Sequence, residues 1–100
     1  MYWQSIRDWY RQCRALNKTF IPFLVGTHFD VFSALERSEQ EEVLSHSRKF
    51  ARAMKSPLVF TSASHGINVL KLFKLVFEKA FSIEPDVEQK HELGEPILEF

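Results

Sequence analysis

Phe20-Ile21-Pro22-Phe23-Leu24-Val25-Gly26 and Leu58-Val59-Phe60-Thr61 are the two short apolar runs on which the fold of this 100-residue chain turns. Neither alternates apolar with polar residues, so a strand at either place buries both faces, as in a parallel sheet covered on two sides. Pro22 is tolerated only near the start of the first strand, where no ladder donor is lost. Between the runs, Ser38 followed by Glu41 has the spacing of a capping box and predicts a helix from there to about Met54. Val43, Ser47, Phe50 and Met54 mark its inner face, and Ser56-Pro57 ends it. Glu39, Glu41 and Glu42 early in this helix, with Arg48, Lys49, Arg52 and Lys55 late, follow the order that the helix dipole favours. Strand, helix and strand in this order imply a right-handed crossover between parallel strands and an α/β fold.

Upstream, Trp3, Ile6, Trp9, Tyr10, Cys13 and Leu16 recur at helical spacing, with Arg7, Arg11, Arg14 and Lys18 on the opposite stripe. This predicts an amphipathic helix from Tyr2 to Leu16. Downstream, a turn from Ser62 to Gly66 leads into a helix from about Ile67 to Phe81. Its inward residues are Ile67, Leu70, Phe73, Phe77 and Phe81, joined by Val69, Leu72 and Val76. Ser82 to Phe100, with Pro85, Gly94, Pro96 and many acids, has no sustained periodicity and reads as a tail. The organisation is thus helix, strand, helix, strand, helix over residues 1–81, with parallel strands, followed by a tail over 82–100. Two strands are too few to bury three helices, since sheets usually have about 4 to 6 strands. Residues 1–81 therefore read as part of a larger sheet.

Composition narrows the partners. Hydrophobic residues make up 45% and charged residues 26%, with thirteen bases against thirteen acids, as in an ordinary soluble domain without bulk attraction to nucleic acid or anionic membrane. One cysteine, Cys13, excludes an internal disulfide and fits a reducing cytoplasmic or nuclear compartment. No apolar run reaches the roughly 18 to 20 residues of a membrane span. Arg7 and Asp8 break any signal-peptide core at the start, and the last residues hold no cysteine for prenylation. His28, His46, His65 and His91 are not at metal-ligand spacing, so no metal site is expected. Ser64-His65 lacks a nucleophile elbow and an orienting acid, so a turn role is favoured.

In open α/β sheets ligands bind outside the carboxyl ends of the strands. Two loops qualify: Gly26-Thr27-His28-Phe29-Asp30 and Thr61-Ser62-Ala63-Ser64-His65-Gly66. An aspartate at such a strand end can accept two hydrogen bonds from the ring N–H and exocyclic amine of guanine, a charge-assisted contact of roughly 1.5 to 3 kcal/mol. Adenine has no such donor pair. The small residues of the second loop let backbone N–H groups approach the guanine oxygen. The competing role for Asp30 is a loop aspartate that caps the turn before Ser33.

These two loops resemble the base-reading motifs of Ras-superfamily small GTPases, Asn/Thr-Lys-x-Asp and Ser-Ala-x. The resemblance extends to Trp3 to Gln12, Asn17 to Pro22, Ser62 to Val69 and Gly94-Glu95-Pro96-Ile97-Leu98, which look like the fungal septum-promoting GTPases of septation initiation and mitotic exit. It implies the C-terminal half of a P-loop small-GTPase fold. Carried over, it implies that Asp30 reads the guanine edge, Thr27 braces the loop, Ala63 offers its N–H to the base oxygen, and Ser62 and Ser64 shape the second loop. His28 stands where the family usually has a lysine whose stem lies against the base, and an imidazole can stack there instead. The family further implies GTP or GDP with Mg²⁺, a downstream protein kinase, a GTPase-activating complex and a place at the spindle pole body.

The phosphate cradle Gly-x-x-x-x-Gly-Lys-Ser/Thr and the Asp-x-x-Gly turn do not occur in this sequence. No residue here is therefore expected to carry catalysis at the γ-phosphate. Two readings of different class follow. One is a guanine-nucleotide-binding switch in septation; the other is a non-catalytic interaction fragment that keeps the helices without nucleotide turnover.

Overall fold

The computed structural model describes residues 3–17 and 19–100. The expected helix start at Tyr2, the inward side chain of Trp3 and the Lys18 end of the basic stripe lie outside the described residues. Seven elements follow in order: α1 (Trp3–Leu16), β1 (Leu24–Gly26), α2 (Phe29–Phe32), α3 (Arg37–Met54), β2 (Leu58–Phe60), α4 (Val69–Ala80) and β3 (Leu98–Glu99).

The α/β reading holds, and β1 pairs with β2 in parallel, Leu24 opposite Leu58 and Gly26 opposite Phe60. The expectation of parallel strands alone is overturned. The sheet is mixed, in the order β1-β2-β3, because β3 runs antiparallel to β2 with Val59 opposite Leu98. The physical reason lies in Ile97 and Leu98, which are fully buried. Burying these two apolar residues draws the end of the presumed tail onto the free side of β2, where the Phe60 N–H donates to the Ile97 carbonyl over 2.8 Å. On its outer side Leu98 exchanges both backbone hydrogen bonds with Lys90.

Strand alternation sorts the core into two layers. Leu58 and Phe60 face a cluster with Phe29, Leu44, Ala51 and Ile97, so α2 and α3 cover that side. Val59 and Leu98 face Leu75 and Val87, with Leu72 and Phe23 beside them, so α4 covers the other. Gly26 is required by this packing: a Cβ there would sit 2.8 Å from the Phe60 ring.

Three local readings are corrected. The strand expected over Phe20 to Gly26 shrinks to Leu24–Gly26, since the register against β2 begins at Leu24. The Ser38 to Glu41 capping box does not form. The helix starts at Arg37 with Glu36 as an N-cap that makes no side-chain bond, so Ser38 is already inside it. Glu41 pairs with Arg37 at 3.2 Å instead. Its buried face is Leu44, Ser47, Ala51 and Met54, while Val43 and Phe50 are half-buried.

The largest correction concerns α4. Leu70, Phe73, Phe77 and Phe81, expected inward, are 83%, 67%, 55% and 67% exposed, while Leu75 is fully buried. The three-stranded sheet covers one stripe of the helix, and Leu72, Leu75 and Glu78 occupy it, leaving the more aromatic stripe uncovered. Trp9 and Leu16 of α1 are likewise exposed, whereas Ile6, Tyr10 and Cys13 are half-buried.

Candidate functional site

The parallel pairing of β1 with β2 places both loops at one end of the sheet. The Thr61 N–H donates to the Gly26 carbonyl and the Phe29 N–H to the Thr61 carbonyl, each over 2.8 Å, continuing the strand contact into the loops. His28 takes the left-handed conformation, φ 60° and ψ 46°, and turns the chain directly into α2. This short helix was not legible in the sequence. Phe29 at its start is buried against the sheet, and its ring and that of Phe32 stack toward Phe60. Asp30 follows in the first turn.

Across the gap, Ser62 is buried. Its N–H donates to the Ile67 carbonyl at 3.1 Å and its carbonyl accepts from the Ile67 N–H at 2.9 Å, which closes Ala63 to Gly66 into a tight, exposed turn. Gly66 adopts φ +65°, a conformation that favours glycine. Asn68 anchors the exit of the turn, its amide donating to the Phe60 carbonyl at 3.0 Å.

The two loops meet at Asp30. The Ser62 hydroxyl donates to Asp30 Oδ1 over 2.8 Å, while the Ser33 hydroxyl donates to the Asp30 backbone carbonyl at 2.9 Å. The carboxylate thus faces the second loop and does not cap the Ser33 turn. The Ser62 hydrogen bond holds the Asp30 carboxyl below its ordinary value of 3.8, with the imidazoles of His65 and His28 acting in the same sense against the opposing effect of burial. An ionised, half-exposed carboxylate at the carboxyl edge of the sheet can accept a pair of N–H donors.

Of the residues singled out in the sequence, Asp30, Ser62 and Ser64 are brought together. Ser64 Oγ lies 3.3 Å from Ser62 Oγ and 2.9 Å from His65 Nδ1. Ala63 is exposed beside them, with its backbone N–H in no intramolecular hydrogen bond among the described residues. His28 and Thr27 are exposed on the first loop. Thr27 makes no side-chain hydrogen bond among the described residues, and the side-chain contact between the two loops is made by Ser62. His65 was read only as a turn residue, yet its Nδ1 lies 3.9 Å from Asp30 Oδ2 and 3.3 Å from Ser62 Oγ. Serines and aspartate all meet His65 on Nδ1, so this cluster is not a hydrolase triad, which needs the acid on one ring nitrogen and the nucleophile on the other. Among the described residues there is no group of three or more metal-ligating side chains.

No helix among the described residues is long and apolar enough to cross a membrane. No family model and no solved structure matches the chain. Among curated proteins, the Septum-promoting GTP-binding protein 1 of Schizosaccharomyces pombe is 47% identical over 96 residues. The match takes in 96% of this chain and 48% of that protein, so the chain spans about half the length of the curated relative. Over nearly all of its length, then, this chain resembles part of a septum-promoting GTP-binding protein.

Proposed function

We propose that this chain is the base-recognition, C-terminal half of a small-GTPase-like protein that binds guanine nucleotide and regulates septation, cytokinesis and mitotic exit. The observation that carries this reading is the Asp30 carboxylate, hydrogen-bonded by Ser62 at the shared end of β1 and β2. The guanine ring N–H and amine would donate to that carboxylate, and the free Ala63 N–H would donate to the base oxygen. His28, left-handed and exposed at the loop corner, would lie against the base. The likeness to a protein named for GTP binding and septum promotion supports the same ligand and process.

Two uncovered surfaces support the half-domain part of the proposal. β1 has one strand partner, leaving its other edge open, and the Leu70, Phe73, Phe77 and Phe81 stripe of α4 has no sheet beneath it. A further set of strands beside β1 would satisfy the first, and the outward stripe of α4 calls for a separate covering surface. The part beside β1 would supply the phosphate cradle and the Mg²⁺ ligands, whose motifs do not occur in this sequence, and GTP hydrolysis would depend on it. A downstream protein kinase, a GTPase-activating complex and a spindle pole location belong to the same proposal. In the alternative reading the chain acts as a non-catalytic interaction fragment, which the uncovered α4 stripe also favours.

Titration of the folded 100-residue chain with fluorescent GDP and magnesium, competed by unlabelled GDP and ATP, separates the two. Displacement by GDP and not by ATP, lost in Asp30→Ala, supports the base-reading half. Absence of saturable binding by the folded chain leaves the interaction fragment.

A further inference from the structure

A second surface shares no residue with the Asp30 and Ser62 loops. Where α1 lies beside α3, Arg7, Tyr10 and Arg11 of the first helix and His46, Lys49 and Phe50 of the second line a groove of about 470 Å³. Its floor is half-buried and aromatic, from Tyr10 and Phe50, and its walls carry three exposed cations. No acidic side chain lines it. Lys49 also lines the adjoining depression on α3 together with Arg52, where Glu41 lines the opposite end.

Several cations elsewhere on the molecule are paired: Arg37 with Glu41, Arg48 with Glu99, Lys74 with Asp86 and Lys90 with Glu88. Arg7, Arg11, Lys49 and Arg52 have no ion pair among the described residues. In a chain with thirteen bases and thirteen acids, four clustered unpaired cations form a local field that its own acids leave uncompensated.

We propose that this groove docks an acidic peptide segment of a partner protein, one that sets carboxylates against Arg7, Arg11 and Lys49 and an aliphatic or aromatic side chain against Tyr10 and Phe50. Complementarity of charge, together with an apolar floor, selects this occupant. Nucleic acid or an anionic membrane fits less well. An extended polyanion would run beyond the patch onto Glu39, Glu41 and Glu42 at the other end of α3, where like charge repels it. A short peptide meets the cations alone. Arginine adds planar, two-pronged contact to carboxylates, and Phe50 and Tyr10 give the hydrophobic anchor its contact area.

The test uses the whole chain and a fluorescein-labelled amphipathic peptide of glutamates interspersed with leucine and phenylalanine, read by fluorescence anisotropy at two salt concentrations. Saturable binding that weakens with salt is expected, because exposed charge pairs are screened over about 10 Å at 0.1 M. The double reversal Arg7→Glu with Arg11→Glu should weaken it about tenfold or more, and Lys49→Glu on the other helix should act in the same direction. Lys71→Glu, on exposed α4, should leave it unchanged. Circular dichroism keeps the result readable: if the α1 double variant loses helix content, Lys49→Glu alone carries the test. No saturable binding, or binding indifferent to these reversals, overturns the proposal. It is equally overturned if phosphatidylserine vesicles or duplex DNA bind as tightly and lose affinity with the same substitutions, which would make the groove a general anion surface.

Discussion

The Ser62 hydroxyl reaches Asp30 Oδ1 across 2.8 Å, and in doing so ties together two loops whose residues are 32 apart in the chain. A carboxylate at an exposed strand end would otherwise sample several rotamers, and each hydrogen bond to a ligand would first have to fix it. One bond from Ser62 occupies a single lone pair of Oδ1 and leaves the remaining acceptor sites for a base. Asp30→Ala should therefore remove the preference for GDP over ADP, a loss of about 10- to 150-fold for a contact of roughly 1.5 to 3 kcal/mol. Ser62→Ala should weaken GDP by only about three- to tenfold and keep the preference, because the carboxylate survives without its brace. Competition titrations with the two nucleotides measure both.

Glu99 makes acid the weak side of this fold. Burial alone raises its pKa, and the hydrogen bonds from Arg48 and His91 outweigh that, leaving the carboxyl below its ordinary 4.5. A pKa lowered by folding contributes stability that is fully present above the unfolded value and is lost as pH falls through the folded one. Stability of the chain should thus be level above about pH 5 and fall below pH 4.5. Chemical denaturation of Glu99→Gln should show a shallower fall over that window and a lower plateau above it.

Leu75 and Phe77 lie on the same helix with opposite fates, one fully buried and the other 55% exposed. Leu75→Ala should destabilise the chain by about 2 to 5 kcal/mol, the range for a buried leucine whose cavity does not collapse. Phe77→Ser should change stability by no more than about 0.5 kcal/mol, as at other exposed positions. It should also reduce self-association, because it breaks an apolar patch with Phe73 and Phe81. Urea midpoints and analytical ultracentrifugation distinguish the two effects.

Gly26 allows no side chain. An added Cβ would meet Phe60 Cδ1 at 2.8 Å, and that ring is held edge-on by Phe32 at 5.0 Å between centroids. Gly26→Ala should destabilise the chain by about 1 to 3 kcal/mol, as overpacking does. Since Gly26 immediately precedes Thr27, guanine binding should weaken beyond what the loss of folded protein explains. Titration at a temperature where the variant stays folded checks this.

The two strands and the loops after them were legible because apolar runs without alternation and small residues at their ends have few other readings. The contact between Asp30 and Ser62 follows from the parallel pairing that sets those two loops side by side. The face of α4 was not legible, since apolar residues surround most of that helix and periodicity ranks its stripes by hydrophobicity alone. Which stripe is buried depends on how much sheet lies beneath it, and three strands reach only Leu72, Leu75 and Glu78. β3 escaped because a two-residue strand has no period. Ile97 and Leu98 owe their place to partners nearly forty residues upstream, Val59 and Phe60. The start of α3 was misread two residues late, with Ser38 in place of Glu36 as the cap, because Ser38 satisfied a local pattern, while Gln40, which folds back to the Leu35 carbonyl at 2.8 Å, supplied the bond that closes the preceding turn.

Lys90 lies across the far side of Leu98 and accepts and donates both of its backbone bonds. Strand addition at Leu98 is blocked by that bridge, while among the described residues β1 keeps an edge without a strand partner. Growth of this molecule is therefore one-sided. If two copies meet there, each stops the other, and a continuous fibril of stacked sheets has no second face from which to propagate. The same polarity sets the order of assembly with any complementary half: that half must arrive alongside β1, and it brings its own contribution to within reach of the loop that carries Asp30.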